Sequence, residues 1–194
     1  METLAKLFGS ELKVKLIRLF IFNPEYVFDT ADIADKVKVP IAKIRKEAAH
    51  LEKMGLVKKK SLGRKNRHGF SLDPQFSYLE QLRNFLINIE PLQPKELIRR
   101  LGKAGSMKLI LTAGVFIQDP ESRVDILIVG DGVKKGSLDN AVKGLEAEIG
   151  KELRYAYFST EDFKYRLSMY DKLTRDILDY PHKMVLDKLG LLSA

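Results

Sequence analysis

The apolar residues of this chain change their spacing near residue 106. Before that point they recur every three or four positions, as on helices buried along one face. Beyond it, short unbroken apolar runs alternate with helical stretches. Leu4, Leu7, Phe8, Leu12, Val14, Leu16, Ile17, Leu19 and Phe20 form one broad stripe, which predicts a single helix stopped at Asn23-Pro24. Thr30 is placed to cap a short second helix carrying Ile33, Ala34 and Val37. Val39-Pro40 opens a third helix, IAKIRKEAAHLEKM, and Gly55 ends it. Leu56-Val57 and Phe70-Ser71-Leu72 flank the loop SLGRKNRHG, a pattern that predicts a β-hairpin.

Residues 76–104 read as a connector. FSYLEQLRNFLINI is amphipathic, with Phe76, Leu79, Leu82, Phe85, Leu86 and Ile89 on one side, suited to domain packing or a dimer seam. Glu90 to Pro94 breaks it, and KELIRRLGKAG predicts another short helix. From residue 105 onward, MKLILTAGVFI and SRVDILIVGD read as strands around a turn at Gln118 to Glu121. LDNAVKGLEAEIG has helical spacing, ELRYAYFST reads as a strand, and Thr160 is placed to cap a helix through EDFKYRLSM. The stretch after that looks helical to Tyr180. Strands alternating with helices predict an α/β layer, so the chain as a whole is expected to be α+β, divided 1–75, 76–104 and 105–194.

Charge is the second constraint. The chain carries a net +8, and residues 1–75 hold +7 of it. Residues 40–68 contain ten cations, from Lys43, Arg45 and Lys46 to Arg64, Lys65 and Arg67. Only Glu47 and Glu52 oppose them. A block this one-sided points to a polyanionic partner. The chain has no Cys, which excludes a disulfide scaffold, a thiolate metal site and a Cys nucleophile. His50, His68 and His182 lack metal-ligand spacing. His182, in the turn Tyr180-Pro181-His182, reads as a surface residue. No apolar run approaches the roughly 20 residues that span a bilayer. Lys6, Glu11, Lys13, Lys15 and Arg18 interrupt the N-terminal stripe, unlike a secretory signal, so the cytoplasm is the expected location.

At 100° per residue, Ile44, Ala48 and Leu51 share the core side of the third helix. Ala42, Lys46, Ala49, His50 and Lys53 gather opposite, with Arg45 near the N-terminal end. Cations with small residues between them suit close approach to a duplex. With these features, residues 1–75 resemble a winged helix-turn-helix domain of the ArsR-like kind. The matching pieces are LAKLFGSELKVKLIRLFIFNP, TADIADKVKV, and PIAKIRKEAAHLEKMGLVKKK with the basic hairpin. The resemblance implies a third helix in the major groove and a wing on the flanking backbone. Ala42, Arg45, Lys46, Ala49, His50 and Lys53 would then meet DNA, and Arg64, Lys65, Asn66 and Arg67 would sit at the wing tip. It also implies a homodimer on paired half-sites.

Residues 105–194 resemble the minimal nucleotidyltransferase fold, on the phrases LILTAGVFI, SRVDILIVGD, LDNAVKGLEAEIG, RYAYFST and EDFKYRL. Active members carry a Gly-Ser turn after the first strand and a Ser-Asp-x-Asp sequence entering the second. Their two carboxylates hold Mg²⁺ against the nucleotide phosphates. Here Ser122-Arg123-Val124-Asp125 stands in that place, so the first carboxylate becomes a cation, and Thr112-Ala113-Gly114 replaces the Gly-Ser turn. Asp119 and Glu121 on the neighbouring turn are the only local substitutes. A lone carboxylate beside an Arg is a poor Mg²⁺ site. The expectation is a non-enzymatic domain without a cofactor, serving dimerisation or ligand sensing. Arg123 and Asp125 mark a vestigial site for a nucleotide or other anion. The expected function is a DNA-binding transcriptional regulator. The alternatives are an antitoxin-like regulator binding a partner protein, an active nucleotidyltransferase, and an RNA binder. The last is disfavoured because residues 40–68 contain no aromatic for base stacking.

Overall fold

The computed structural model describes residues 2–63, 68–88 and 92–190. The chain is mixed α and β, and forms two compact units. One unit takes the chain up to residue 91 and also Lys143–Glu152. The other holds Leu92–Val142 and the chain from Leu153 onward.

The first unit opens with α1 (Glu2–Phe8) and α2 (Glu11–Phe22). The sequence pattern suggests one helix here, and the structure has two. Gly9 adopts φ +84, a conformation glycine reaches without a Cβ clash, and Ser10 then restarts the helix by accepting a bond from the Lys13 N–H at 3.0 Å. α3 (Thr30–Val37) is capped by Asp29 rather than by Thr30. Asp29 accepts from the Ala31 and Asp32 N–H groups, and Asp32 reaches back to the Asp29 N–H, a reciprocal capping box. α4 (Ile41–Lys53) follows Pro40. Its end is closed by Gly55 at φ +80, with Leu56 N–H donating to Leu51 C=O and Gly55 N–H to Glu52 C=O.

β1 (Val57–Ser61) and β2 (His68–Leu72) form the expected antiparallel hairpin, paired from Val57 opposite Leu72 to Ser61 opposite His68. Phe28 adds a third edge by exchanging two backbone hydrogen bonds with Phe70. Gly69 permits this close approach: a Cβ there would lie 2.8 Å from the Phe28 carbonyl oxygen and 2.9 Å from Val27 Cγ1. Gly69→Ala is therefore expected to destabilise this unit by about 1–3 kcal/mol, read as a lower urea midpoint with slope unchanged. α5 (Leu79–Asn88) closes the segment, with Leu79 and Leu86 in the core and Phe85 exposed. The core gathers Leu16 and Phe20 of α2, Ile33 of α3, Ile44 and Leu51 of α4, Val57 and Phe70 of the hairpin and Leu79 of α5.

The second unit begins with α6 (Pro94–Leu101), then β3 (Ser106–Thr112). The apolar run expected as one strand stops at Thr112, and Gly114–Phe116 form a single 3₁₀ turn. β4 (Ile126–Asp131) follows, then α7 (Lys135–Ile149), whose residues from Lys143 onward belong to the first unit, β5 (Tyr155–Phe158), α8 (Thr160–Ser168), α9 (Lys172–Asp179) and β6 (Lys183–Asp187). Ser159, not Thr160, caps α8, accepting from the Asp162 N–H. The sheet order is β5-β4-β3-β6. β4 pairs antiparallel with β3 and parallel with β5, and the crossover between them runs through α7. Ile126 to Val129 are fully buried, as a strand covered on both faces requires.

In α6, Glu96 accepts bonds from both Arg99 and Arg100, which hold its carboxyl down to about 2. The folded value lies below the ordinary carboxylate value, so any stability it adds is present above pH about 4.3 and fades as pH falls toward 2. A carbon-detected NMR titration of the full chain should place the Glu96 midpoint near 2. Arg99→Ala should move it upward.

Candidate functional site

α4 has one buried row, Ile44, Ala48 and Leu51, and the sequence-derived core face matches it. Opposite it, Ala42, Arg45, Lys46, His50 and Lys53 are exposed and Ala49 is half-buried. The six residues thus lie on the outer side of one helix. No side chain caps the start of α4, and the Lys43 N–H donates to the Pro40 carbonyl at 3.0 Å.

The acids of the basic block are held aside. Glu47 lies 3.7 Å from Lys13 of α2, and Glu52 lies 2.9 Å from Lys59 of β1. Lys58 meets Asp73 at 3.2 Å, beyond the end of β2. Asp73 is held below its ordinary value by the Gln75 N–H first and by Lys58 second. Among the described residues, Arg45, Lys46, Lys53 and Lys60 have no carboxylate partner. Surface pairs such as these contribute little to stability. Their effect is on the field: they withdraw negative charge from the outer face and leave its cations uncompensated. Arg64, Lys65, Asn66 and Arg67 lie outside the described residues, between β1 and β2.

In the second unit, Arg123 and Asp125 do not meet. Asp125 is only 4% exposed, and its carboxylate is occupied by backbone donors. Oδ1 accepts from the Val115 N–H at 2.9 Å, and Oδ2 from the Arg154 N–H at 2.8 Å, with Arg154 Nε at 3.4 Å. The Asp125 backbone is tied on both sides as well, accepting from the Ala113 N–H and donating to the Arg154 C=O. Gly114 sits against this carboxylate at φ +50, and a Cβ there would collide with Oδ1. Asp125 is thus a brace joining the turn after β3 to the start of β5. Arg123 instead pairs with Asp176 of α9, Nε to Oδ2 at 2.5 Å.

Arg123, Arg154 and Asp176 line an open cleft of about 450 Å³ together with Ser122, Ala113 and Tyr180. The substitute carboxylates of the sequence reading are also placed. Asp119 accepts from the Ser122 hydroxyl at 2.7 Å and the Glu121 N–H at 3.0 Å, closing its own turn. Among the described residues no group of three or more His, Asp or Glu side chains converges as a metal site.

Sequence reasoning missed two features. Arg18, taken as an interruption of an apolar stripe, is 1% exposed. Its Nη1 donates to the Glu148 carbonyl at 2.8 Å, and burial pushes its pKa down while the Glu148 charge opposes that shift. Next to it, Gly150 packs directly on α2: a Cβ would lie 2.6 Å from the Arg18 carbonyl carbon, and Asn23 Nδ2 donates to the Gly150 carbonyl at 2.6 Å. The available signal was position 18 itself, flanked by Ile17 and Leu19 in a helix buried on most sides. The second feature is the pairing of Arg154 and Asp176 with the two marked residues, which no local spacing encodes.

No family model, curated protein or solved structure matches this chain. No helix among the described residues is long and apolar enough to cross a membrane.

Proposed function

We propose that the chain is a double-stranded-DNA-binding transcriptional regulator. Its first unit acts as a winged helix, with α4 as the reading helix and the β1–β2 hairpin as the wing. One observation carries the reading: the outer face of α4 presents Arg45, Lys46 and Lys53 among Ala42, Ala49 and His50, while the two acids of α4, Glu47 and Glu52, are turned to Lys13 and Lys59. Short side chains let the helix approach base edges, and the cations answer phosphates. The wing-tip residues Arg64, Lys65, Asn66 and Arg67 extend the same charge in the sequence. Dimerisation on paired half-sites follows from the family resemblance.

The second unit is read as nucleotidyltransferase-like in shape and without transferase chemistry. The use of Asp125 as a backbone brace supports this, because both its oxygens already accept hydrogen bonds. A hard divalent cation would have to displace those donors.

The test is binding to a randomised duplex pool at two salt concentrations, with sequencing of the bound fraction. A repeated or palindromic motif is expected, with a log–log salt slope of about −5 for roughly six neutralised phosphates. Absence of binding at low salt would sink the reading.

A further inference from the structure

The chain from the end of α7 to the start of β5 is held at every second residue. Arg18 of α2 donates to the Glu148 carbonyl at 2.8 Å, and Asn23 donates to the Gly150 carbonyl at 2.6 Å. Lys36 of α3 lies 3.0 Å from the Glu152 carboxylate. These three holds are all internal to the first unit, and the second unit resumes at Leu153. The next residue, Arg154, is fixed there by Asp125, which accepts from its N–H at 2.8 Å. Leu153 alone separates the last hold in one unit from the first hold in the other.

The holds on α2 are built at a cost. Arg18 and Glu148 are both charged and both buried. Well-packed apolar residues of the same volume stabilise at least as well as a buried charged joint, and such joints recur where one arrangement has to be specified. Gly150 adds a second constraint. It sits at φ +82, and a Cβ there would lie 2.6 Å from the Arg18 carbonyl carbon. The joint is therefore specific in position. It is also incompletely packed: a cavity of about 270 Å³ lies beside it, lined by Leu19, Asn23, Val37, Ala147, Gly150 and Glu152 among others. Part of its hold thus comes from a few polar bonds rather than from filled packing, the condition under which a segment opens locally. The Lys36–Glu152 pair is exposed and contributes little.

What the joint touches decides its consequence. α2 and α3 carry Leu16, Phe20, Ile33 and Val37, which share a core with Ile44 and Leu51 of α4. They are the seat of the reading helix. A shift at the joint acts on that seat and leaves the outer cations of α4 in place.

We infer that residues 148–152 are a strap through which the second unit sets the posture of the reading helix, a change at the Asp125–Arg154 brace reaching α2 and α3 by way of the Arg18 and Asn23 bonds. The regulatory consequence rests on the DNA reading; the strap itself does not.

Amide hydrogen exchange of the full chain, without DNA, tests the strap. Asp125→Asn alters only the second unit, yet it should speed exchange of the α2 and α3 amides by about threefold or more. Asn23→Ala cuts a strap bond and should speed the same amides. Adding Asp125→Asn to it should bring no further rise, since the route is already broken. Gly150→Ala unseats the strap by collision and repeats the cycle; if it unfolds the first unit, Asn23→Ala decides alone. Titration of the selected duplex reads the consequence. A loosened seat must be ordered again on binding, so Asn23→Ala should bind about threefold or more weakly, with the salt slope unchanged because no phosphate contact is lost. The inference is overturned if Asp125→Asn leaves α2 and α3 exchange unchanged, or if the two effects multiply in the double variant. It is also overturned if Asn23→Ala binds the duplex as tightly as the unaltered chain. An unaltered chain that binds no duplex counts against the DNA reading alone, and the exchange result still decides the strap.

Discussion

The double substitution Arg45→Glu/Lys46→Glu is expected to lower duplex affinity by a hundredfold or more while leaving the melting temperature unchanged. Each cation that reaches a phosphate or base contributes about 1–3 kcal/mol, and reversal adds repulsion where attraction stood. The two losses together therefore amount to about 2–6 kcal/mol or more. The salt slope should become shallower by about 2, one unit for each lost phosphate contact. Stability is spared because both side chains are exposed and pair with no acid among the described residues, so only surface interactions change. Titration of the selected duplex by fluorescence anisotropy, alongside a thermal melt, checks both halves. Retained affinity at moderate salt would remove α4 from the interface. Loss of affinity with an unfolded first unit would make the variant uninformative about contacts, and the single substitutions to Ala then decide.

The interface candidates were readable in the sequence because a helix converts spacing directly into faces. Ile44, Ala48 and Leu51 are all buried, and the residues opposite them all lie outward. The hairpin was readable for a similar reason, since a Gly-containing basic loop between short apolar runs leaves little other structure. The break between α1 and α2 was not, because the apolar stripe continues across Gly9-Ser10 with its spacing intact. Only the left-handed Gly9 and the Ser10 cap interrupt it. Arg18 shows the opposite failure: periodicity treats any charge as a surface mark, whereas a guanidinium can be buried against a carbonyl distant in sequence. β6 was lost for want of alternation, and its pairing with β3 is set by tertiary register rather than by its own pattern. In the second unit the sequence marked Arg123 and Asp125 together. Their separate partners, Asp176 and Arg154, come from elements brought near only by the fold.

The brace at Asp125 yields the other large expected effect. Asp125→Ala should destabilise the second unit by about 3–5 kcal/mol. The substitution leaves two backbone donors, of Val115 and Arg154, without their acceptor, and each such orphan costs about 1–3 kcal/mol when buried. It also opens a space under the turn. Asp125→Asn keeps the shape but offers only one acceptor oxygen, so one of the two N–H groups must face an amide N–H, and a smaller loss is expected. Gly114→Ala attacks the same joint from the other side, since its Cβ would meet Oδ1 and its φ of +50 disfavours any side chain. These effects share one cause, so they should not add. With the carboxylate gone, Gly114→Ala loses its clash and retains only its backbone cost, and the double variant should be more stable than the sum of the single losses by about 1 kcal/mol or more. Hydrogen exchange of the β3 and β4 amides reads this in the full chain without assuming that the two units unfold together. An additive double variant would mean that Gly114 and Asp125 are not packed as one joint. Unchanged exchange in Asp125→Ala would mean that the carboxylate is free for other work, and a ligand role at the neighbouring cleft would then have to be reconsidered.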